Sequence, residues 1–266
     1  LLAERILLLD GGWGTMVQGY HLGEEDYRKD IFPDHPKELK GCHDVLCLTR
    51  PDLVEEIHSR YLEAGADILE TNTFSSTSIS LADYDLQGEV LRINRAAAEI
   101  AVRTARHWTK KTPGKPRFVA GSIGPTNKTA SLSPDVENPA FRAITFEQLV
   151  EAYHEQVQGL MEGGVDLLLP ETSFDTLNLK AALFAIRKYF NETGKEVPVI
   201  ASMTITDASG RTLSGQMVEA AWISISHADL FGVSPNCALG AAEMRSPLEE
   251  LSRISPSWLF CYPNAG

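Results

Sequence analysis

Basic residues are the minority in this chain. Its 24 lysines and arginines stand against 36 aspartates and glutamates, a formal net charge of −12. Phosphate backbones need a concentrated basic surface, so nucleic acid is not an expected partner. Cysteine is scarce too: Cys42, Cys47, Cys237 and Cys261 are all there is in 266 residues. Four thiols in a chain this long make no disulfide framework, and a reducing cytoplasm is the expected compartment. No run approaches the roughly 18 consecutive apolar residues of a membrane span, and no signal peptide is read at the start. A Gly-x-Gly-x-x-Gly turn is missing as well. The "GGWGT" that follows the first apolar run is a different turn, which argues against a Rossmann dinucleotide site.

What is present is an ordinary globular composition, 43% hydrophobic and 23% charged, arranged as strands alternating with helices. "ILLLD" (6–10) reads as a buried strand. "PDLVEEIHSRYLEAG" reads as a helix with Pro51 in its first turn, Gly65 as its stop, and Leu53, Ile57, Tyr61 and Ala64 on one face. The strands "ADILET" (66–71) and "RFVAGS" (117–122) flank a long helix over 89–108. A capping box, Thr145 with Gln148, opens the next helix. "VDLLLPET", "VPVIASMTI", "DLFGVS" and "WLFCY" follow, with helices between them, for seven strands in all. Apolar rather than alternating strands suit a parallel sheet covered on both faces. The fold class is α/β, and the length fits a TIM-type (β/α)8 barrel better than two domains. Seven strands is one short of eight, so the barrel is expected to be truncated after the seventh.

In such barrels the chemistry sits at the C-terminal ends of the strands. Those ends here carry Asp10 with Gly11, Gly12, Gly14 and Thr15; Glu70, Asn72 and Thr73; Ser122 and Gly124; Glu171 and Thr172; Thr204 and Asp207; Asn236 and Cys237; and Asn264. Two of these ends repeat one another, since "GADILETNTF" (65–74) and "GVDLLLPETSF" (164–174) share Gly-x-Asp, an apolar run and Glu-Thr. Glycine N–H groups in a tight turn suit a carboxylate or phosphate, and Asp10 and Glu171 are placed to hold an ammonium group. Together they describe a pocket for an amino acid.

Cys237, in "SPNCALG", reads as a metal ligand or a nucleophile. A nucleophile would want a histidine base, and no histidine is read at a strand end, so the metal ligand is preferred. "GCHDVLC" resembles a zinc spacing only loosely, and Cys261 inside the seventh strand reads as core.

The stretches "LLLDGGWGTM", "GADILETNTFSSTSI", "AGSIGPTNKT", "SGRTLSGQ" and "NCALGAAEMR" resemble the homocysteine-binding domain of the cobalamin-dependent methionine synthases, along nearly the whole chain. The resemblance implies a β/α barrel over 1–266, incomplete at its C-terminus, with the cobalamin and folate domains of a longer chain absent. It implies homocysteine as substrate, with Asp10 and Glu171 on its amino group and Gly11, Gly12, Gly14, Thr15 and Asn236 around it. It further implies a zinc held by three cysteines. Cys237 matches the first of them, and an adjacent pair after strand eight supplies the others. On zinc the substrate thiol would attack the methyl group of methylcobalamin, which another domain binds. The pattern usually has Met where Trp13 stands and an aliphatic residue where Pro170 precedes Glu171. The competing readings are a betaine- or S-methylmethionine-dependent homocysteine methyltransferase and a non-catalytic amino-acid-binding barrel.

Overall fold

A computed structural model of the chain describes residues 1–206 and 210–264. The chain folds as two compact units, one of Leu1–Ser122 with Gln158–Leu167, the other of Ile123–Val157 with Leu168–Gly266. The helices are α1 (Trp13–Gln18), α2 (Glu24–Arg28), α3 (Leu46–Thr49), α4 (Pro51–Ala64), α5 (Ser78–Leu81), α6 (Val90–Lys111), α7 (Phe146–Gly163), α8 (Thr176–Thr193), α9 (Val218–Ile225) and α10 (Ala241–Ile254). The strands are β1 (Ile68–Glu70), β2 (Phe118–Ile123), β3 (Leu167–Pro170), β4 (Ile200–Thr204), β5 (Gly232–Gly240), β6 (Trp258–Leu259) and β7 (Tyr262–Asn264). This is an α/β fold with parallel sheets, as its apolar strands require. The described strands form two sheets rather than one closed ring, which leaves the truncated eight-fold barrel expected above unconfirmed.

In the first unit β1 pairs with β2 in parallel, Ile68 opposite Phe118 and Glu70 opposite Ala120. The expected first strand over 6–10 shrinks to a single bridge, Leu9 to Ile68. Its ladder bonds run to β1, where the Leu8 carbonyl accepts from Asp67 and Ile68. Ile6 and Leu8 are 84% and 54% exposed, where a fully buried strand was expected. The Gly-x-Asp repeat has a structural meaning. The Asp67 carboxylate accepts the Leu8 amide at 3.0 Å and the Asp166 carboxylate accepts the Val119 amide at 2.8 Å. Each motif therefore ties the start of its strand to the strand before. Buried Asp67 is also paired bidentately with Arg5, at 2.8 Å to each nitrogen.

Helix α4 buries Leu53, Val54, Ile57, His58 and Leu62. Ala64 is exposed, so the buried stripe swings round to take in His58, which the sequence reading left out. The helix packs on α6, whose buried residues include Ala97, Ala98, Ala101 and Ala105. The last turns of α7 come closer still to α6. A Cβ at Gly159 would sit 2.8 Å from the Asn94 Cβ, and one at Gly163 would overlap the Ala98 Cβ.

In the second unit, strands run parallel from β3 through β4 to β5. Leu168 bridges Val199, Ser173 bridges Met203, and Ile200–Thr204 lie opposite Gly232–Asn236. The expected seventh strand splits into β6, opposite Gly232 and Val233, and β7, opposite Asn236 and Gly240. Between Asn236 and Gly240 the register shifts, so Cys237 lies in an irregular stretch inside β5 rather than beyond its end. Cys261 falls in the gap between β6 and β7 and is exposed, not core. The Thr145–Gln148 capping box forms as read, at 3.0 and 3.2 Å. Among the described residues, no helix is long and apolar enough to cross a membrane.

Candidate functional site

The first unit presents the turn that begins at Asp10. The Asp10 amide donates to the Ile68 carbonyl at 2.9 Å, and the Asp10 carboxylate accepts the Glu70 amide at 3.0 Å. Three residues on, the Trp13 indole N–H donates to the Glu70 carbonyl at 3.3 Å. One peptide residue of β1 is thus gripped at both of its polar groups. Tyr61 on α4 adds a third hold, its hydroxyl donating to the Gly12 carbonyl at 3.1 Å. Gly11 sits close to this ring, and a Cβ there would lie 3.1 Å from it, a tight contact. Burial, with the charges of Asp10 and Glu70 behind it, raises the Tyr61 phenol above its ordinary pKa, so it stays a neutral donor.

One α-helical turn from Tyr61, His58 meets the Trp13 ring edge to face, with centroids 4.8 Å apart and an interplanar angle of 78°. His58 is fully buried, and neither ring nitrogen has a hydrogen-bond partner among the described residues. Burial pulls its pKa down to about 3, so the ring is neutral. The sequence reading took "GGWGT" as a glycine turn. The structure makes Gly12 the N-cap of α1 and puts Trp13, Gly14 and Thr15 inside it. Gly11, Gly12 and Thr15 are exposed.

Other polar strand ends of this unit serve the fold. The Thr73 hydroxyl donates to the Ser122 carbonyl at 2.7 Å, so the Thr71 hydroxyl, 2.6 Å away, must donate to Thr73. The Ser122 amide closes that ring onto Thr71 at 3.0 Å. Asn72 donates to the His43 carbonyl at 2.7 Å. The "GCHDVLC" segment is packed into the core of the first unit. Cys42 and Cys47 are each 3% exposed, and burial pushes both thiols far up, away from the thiolate a metal needs.

The second unit carries Glu171, Asn236 and Cys237. Glu171 is buried at the end of β3, its amide donating to the Ile123 carbonyl at 2.9 Å. Its neighbour Thr172 has a left-handed backbone, φ 56°. Asn236 is buried and engaged at both ends of its amide. Ser202 donates to its oxygen at 2.6 Å, and its nitrogen donates to the Thr172 hydroxyl at 2.8 Å. Asn236 therefore braces the backbone beside Glu171, a link that runs through Ser202, which the sequence reading missed. The periodicity of β4 marks Ser202 only as one inward position among five.

Cys237 and Ala238 both adopt left-handed backbone, with φ 57° and 58°. For non-glycine residues this costs about 1–2 kcal/mol each, and such outliers gather at binding and catalytic positions. Cys237 is half-buried and Ala238 exposed. Among the described residues no group of three or more His, Cys, Asp or Glu is placed to hold a metal ion. Of the other strand-end residues, Asp207 lies outside the described residues and Asn264 is exposed at the end of β7.

Residues 7–266 match the sequence model of a family described as Homocysteine S-methyltransferase. Among solved structures, the homocysteine methyltransferase MmuM from Escherichia coli is similar in fold. Its metallated form superposes with a TM-score of 0.77 at 20% identity, covering 100% of this chain and 86% of that one. The oxidised form gives 0.79 at 20% identity, covering 100% and 85%. The apo form gives 0.73 at 19% identity, again covering 100% and 85%.

Proposed function

Because the chain belongs to the homocysteine S-methyltransferase family, we propose that it binds homocysteine and presents its thiol for methylation to methionine. In this reading a carboxylate receives the ammonium group, Asp10 in the first unit and Glu171 in the second being the two candidates; a charge-assisted hydrogen bond of that kind contributes about 1.5–3 kcal/mol. Gly11, Gly12, Gly14 and Thr15 line the carboxylate end, and Asn236 holds the backbone beside Glu171. The sulfur gives up its proton, forms a bond to the methyl carbon, and the donor leaves with the electron pair of the broken bond. A free thiol, with a pKa near 8.5, is mostly protonated at neutral pH, so the reaction depends on what lowers it.

The resemblance in the sequence assigns that task to zinc and makes Cys237 a ligand. The described residues do not by themselves fit a metal centre, since no set of three donors forms. Zinc therefore enters this reading through one proposed ligand, Cys237. The observation that supports a role for Cys237 is its left-handed backbone in the shifted stretch of β5.

The methyl donor in this reading is methylcobalamin, held by another domain of a longer chain. The test is homocysteine titration calorimetry on the protein, followed by methyl transfer assays with methylcobalamin, S-methylmethionine and betaine in parallel. Homocysteine binding with transfer from methylcobalamin alone supports the full reading. Transfer from either of the others replaces the donor. A protein that takes up no homocysteine at all overturns the reading.

A further inference from the structure

Besides Asp10 itself, the Asp10–Trp13 turn is fastened by groups that the proposed chemistry does not use. His58 is the oddest of them, a fully buried imidazole with no hydrogen-bond partner for either nitrogen among the described residues. A buried polar ring left unpaired destabilises the fold, and an apolar ring of similar size would avoid that cost. What His58 does make is one oriented contact, its edge-to-face meeting with Trp13 at 4.8 Å. Trp13 in turn makes one directed bond, from its indole N–H to the Glu70 carbonyl. That carbonyl belongs to the residue whose amide is held by the Asp10 carboxylate.

We propose that Trp13 and His58 are a positioning pair that fixes the Asp10–Trp13 turn on β1 and so sets the aim of the Asp10 carboxylate. The aromatic edge contact holds the indole in the one orientation that reaches Glu70. With Glu70 held at both polar groups, the turn cannot slide along the strand without breaking two bonds at once. Tyr61, one turn along α4 from His58, blocks the outward direction through its bond to the Gly12 carbonyl. In this proposal the pair acts through the geometry of Asp10. The link to substrate rests on the homocysteine reading above; the clamp itself does not.

The experiment separates the two. Amide hydrogen exchange over residues 10–15 is measured in the ligand-free protein for wild type, Trp13→Phe, His58→Ala and His58→Phe. Trp13→Phe removes the N–H and keeps a ring against His58, while His58→Phe keeps an aromatic edge against Trp13. Trp13→Phe and His58→Ala are expected to exchange about tenfold faster over this segment, the loss of roughly one hydrogen bond's worth of protection. His58→Phe is expected to restore most of the protection. Homocysteine affinity is then read on the same four proteins. Trp13→Phe and His58→Ala should weaken it about tenfold and raise KM with little change in kcat, as a residue acting on ground-state placement would. Unchanged exchange in both variants overturns the clamp. Faster exchange with unchanged homocysteine affinity shows the pair to be structural only and overturns the positioning role. If wild type binds no homocysteine, the functional reading fails while the exchange data still judge the clamp.

Discussion

The side-chain nitrogen of Asn236 donates to the Thr172 hydroxyl at 2.8 Å, joining β5 to the residue next to Glu171. Thr172 needs that support, because its left-handed φ of 56° is costly for a branched side chain. Asn236→Ala leaves the buried Ser202 hydroxyl, which now donates to Asn236, without its acceptor. The expected loss is about 1–3 kcal/mol of stability, the range for orphaning a buried polar group. Homocysteine affinity should fall with it, as Glu171 loses a fixed neighbour. Urea unfolding and calorimetry check the two effects, and a variant with wild-type values in both would show that Asn236 braces nothing.

His58 ties stability to acid. Its ordinary pKa is about 6.5, and burial lowers it to about 3 in the folded chain. Between those values the unfolded chain takes up a proton that the folded one refuses, so stability rises with pH across the window. The contribution is intact above about pH 6.5 and is lost progressively as pH falls towards 3, by roughly 4 kcal/mol at the bottom. His58→Phe should flatten that limb and leave the curve above pH 7 nearly parallel to wild type. Thermal midpoints from pH 3 to 8 measure it. An acid limb as steep in His58→Phe as in wild type would mean that other groups govern it.

Gly163 tests the approach of α7 to α6 inside the first unit. A Cβ there overlaps the Ala98 Cβ and lies 2.8 Å from the Arg95 carbonyl, so the backbone itself stands in the way. Gly163→Ala should destabilise by about 1–3 kcal/mol through overpacking, even though alanine is the better helix former by about 1 kcal/mol. Ala98→Gly in the same chain should recover only part of the loss, because the Arg95 carbonyl remains. A shift in urea midpoint towards greater stability for Gly163→Ala alone would refute the close approach.

Strand and helix order were legible because apolar runs and helical stripes are set locally. The capping box at Thr145 and Gln148 was legible for the same reason, since its two hydrogen bonds span three residues. The first strand was misjudged because burial depends on what covers a strand. "ILLLD" has the composition of a buried strand, yet it makes a single bridge to β1, and Ile6 and Leu8 remain exposed among the described residues. Cys261 went wrong likewise, falling where the seventh strand breaks. Asp10, Glu171 and Cys237 could be picked out as polar residues at strand ends. Polarity could not separate them from Thr71, Thr73 and Asn72, whose hydrogen bonds are spent on the fold. His58 was hidden because the stripe read for α4 ran through Leu53, Ile57, Tyr61 and Ala64 and left it out, and its burial and contact with Trp13 depend on the packing of distant segments.

Cys237 and Ala238 share a strained backbone, and the strain and the thiol can be tested apart. Ala238→Gly removes the side chain from a left-handed position and should stabilise the protein by about 1 kcal/mol. The Cys237 side chain is untouched by that change. If the strained geometry serves to present the thiol, methyl transfer should fall in Ala238→Gly while stability rises, the usual opposition between a strained site and the fold around it. Cys237→Ala should leave unfolding near wild type, because the half-buried thiol adds little to the core. It should lower any zinc taken up by the protein, read by metal analysis after dialysis against a weak chelator, and abolish methyl transfer. Cys237→Ala with full zinc content and full activity would remove Cys237 from the chemistry, and the left-handed pair would then be a feature of the β5 register shift alone.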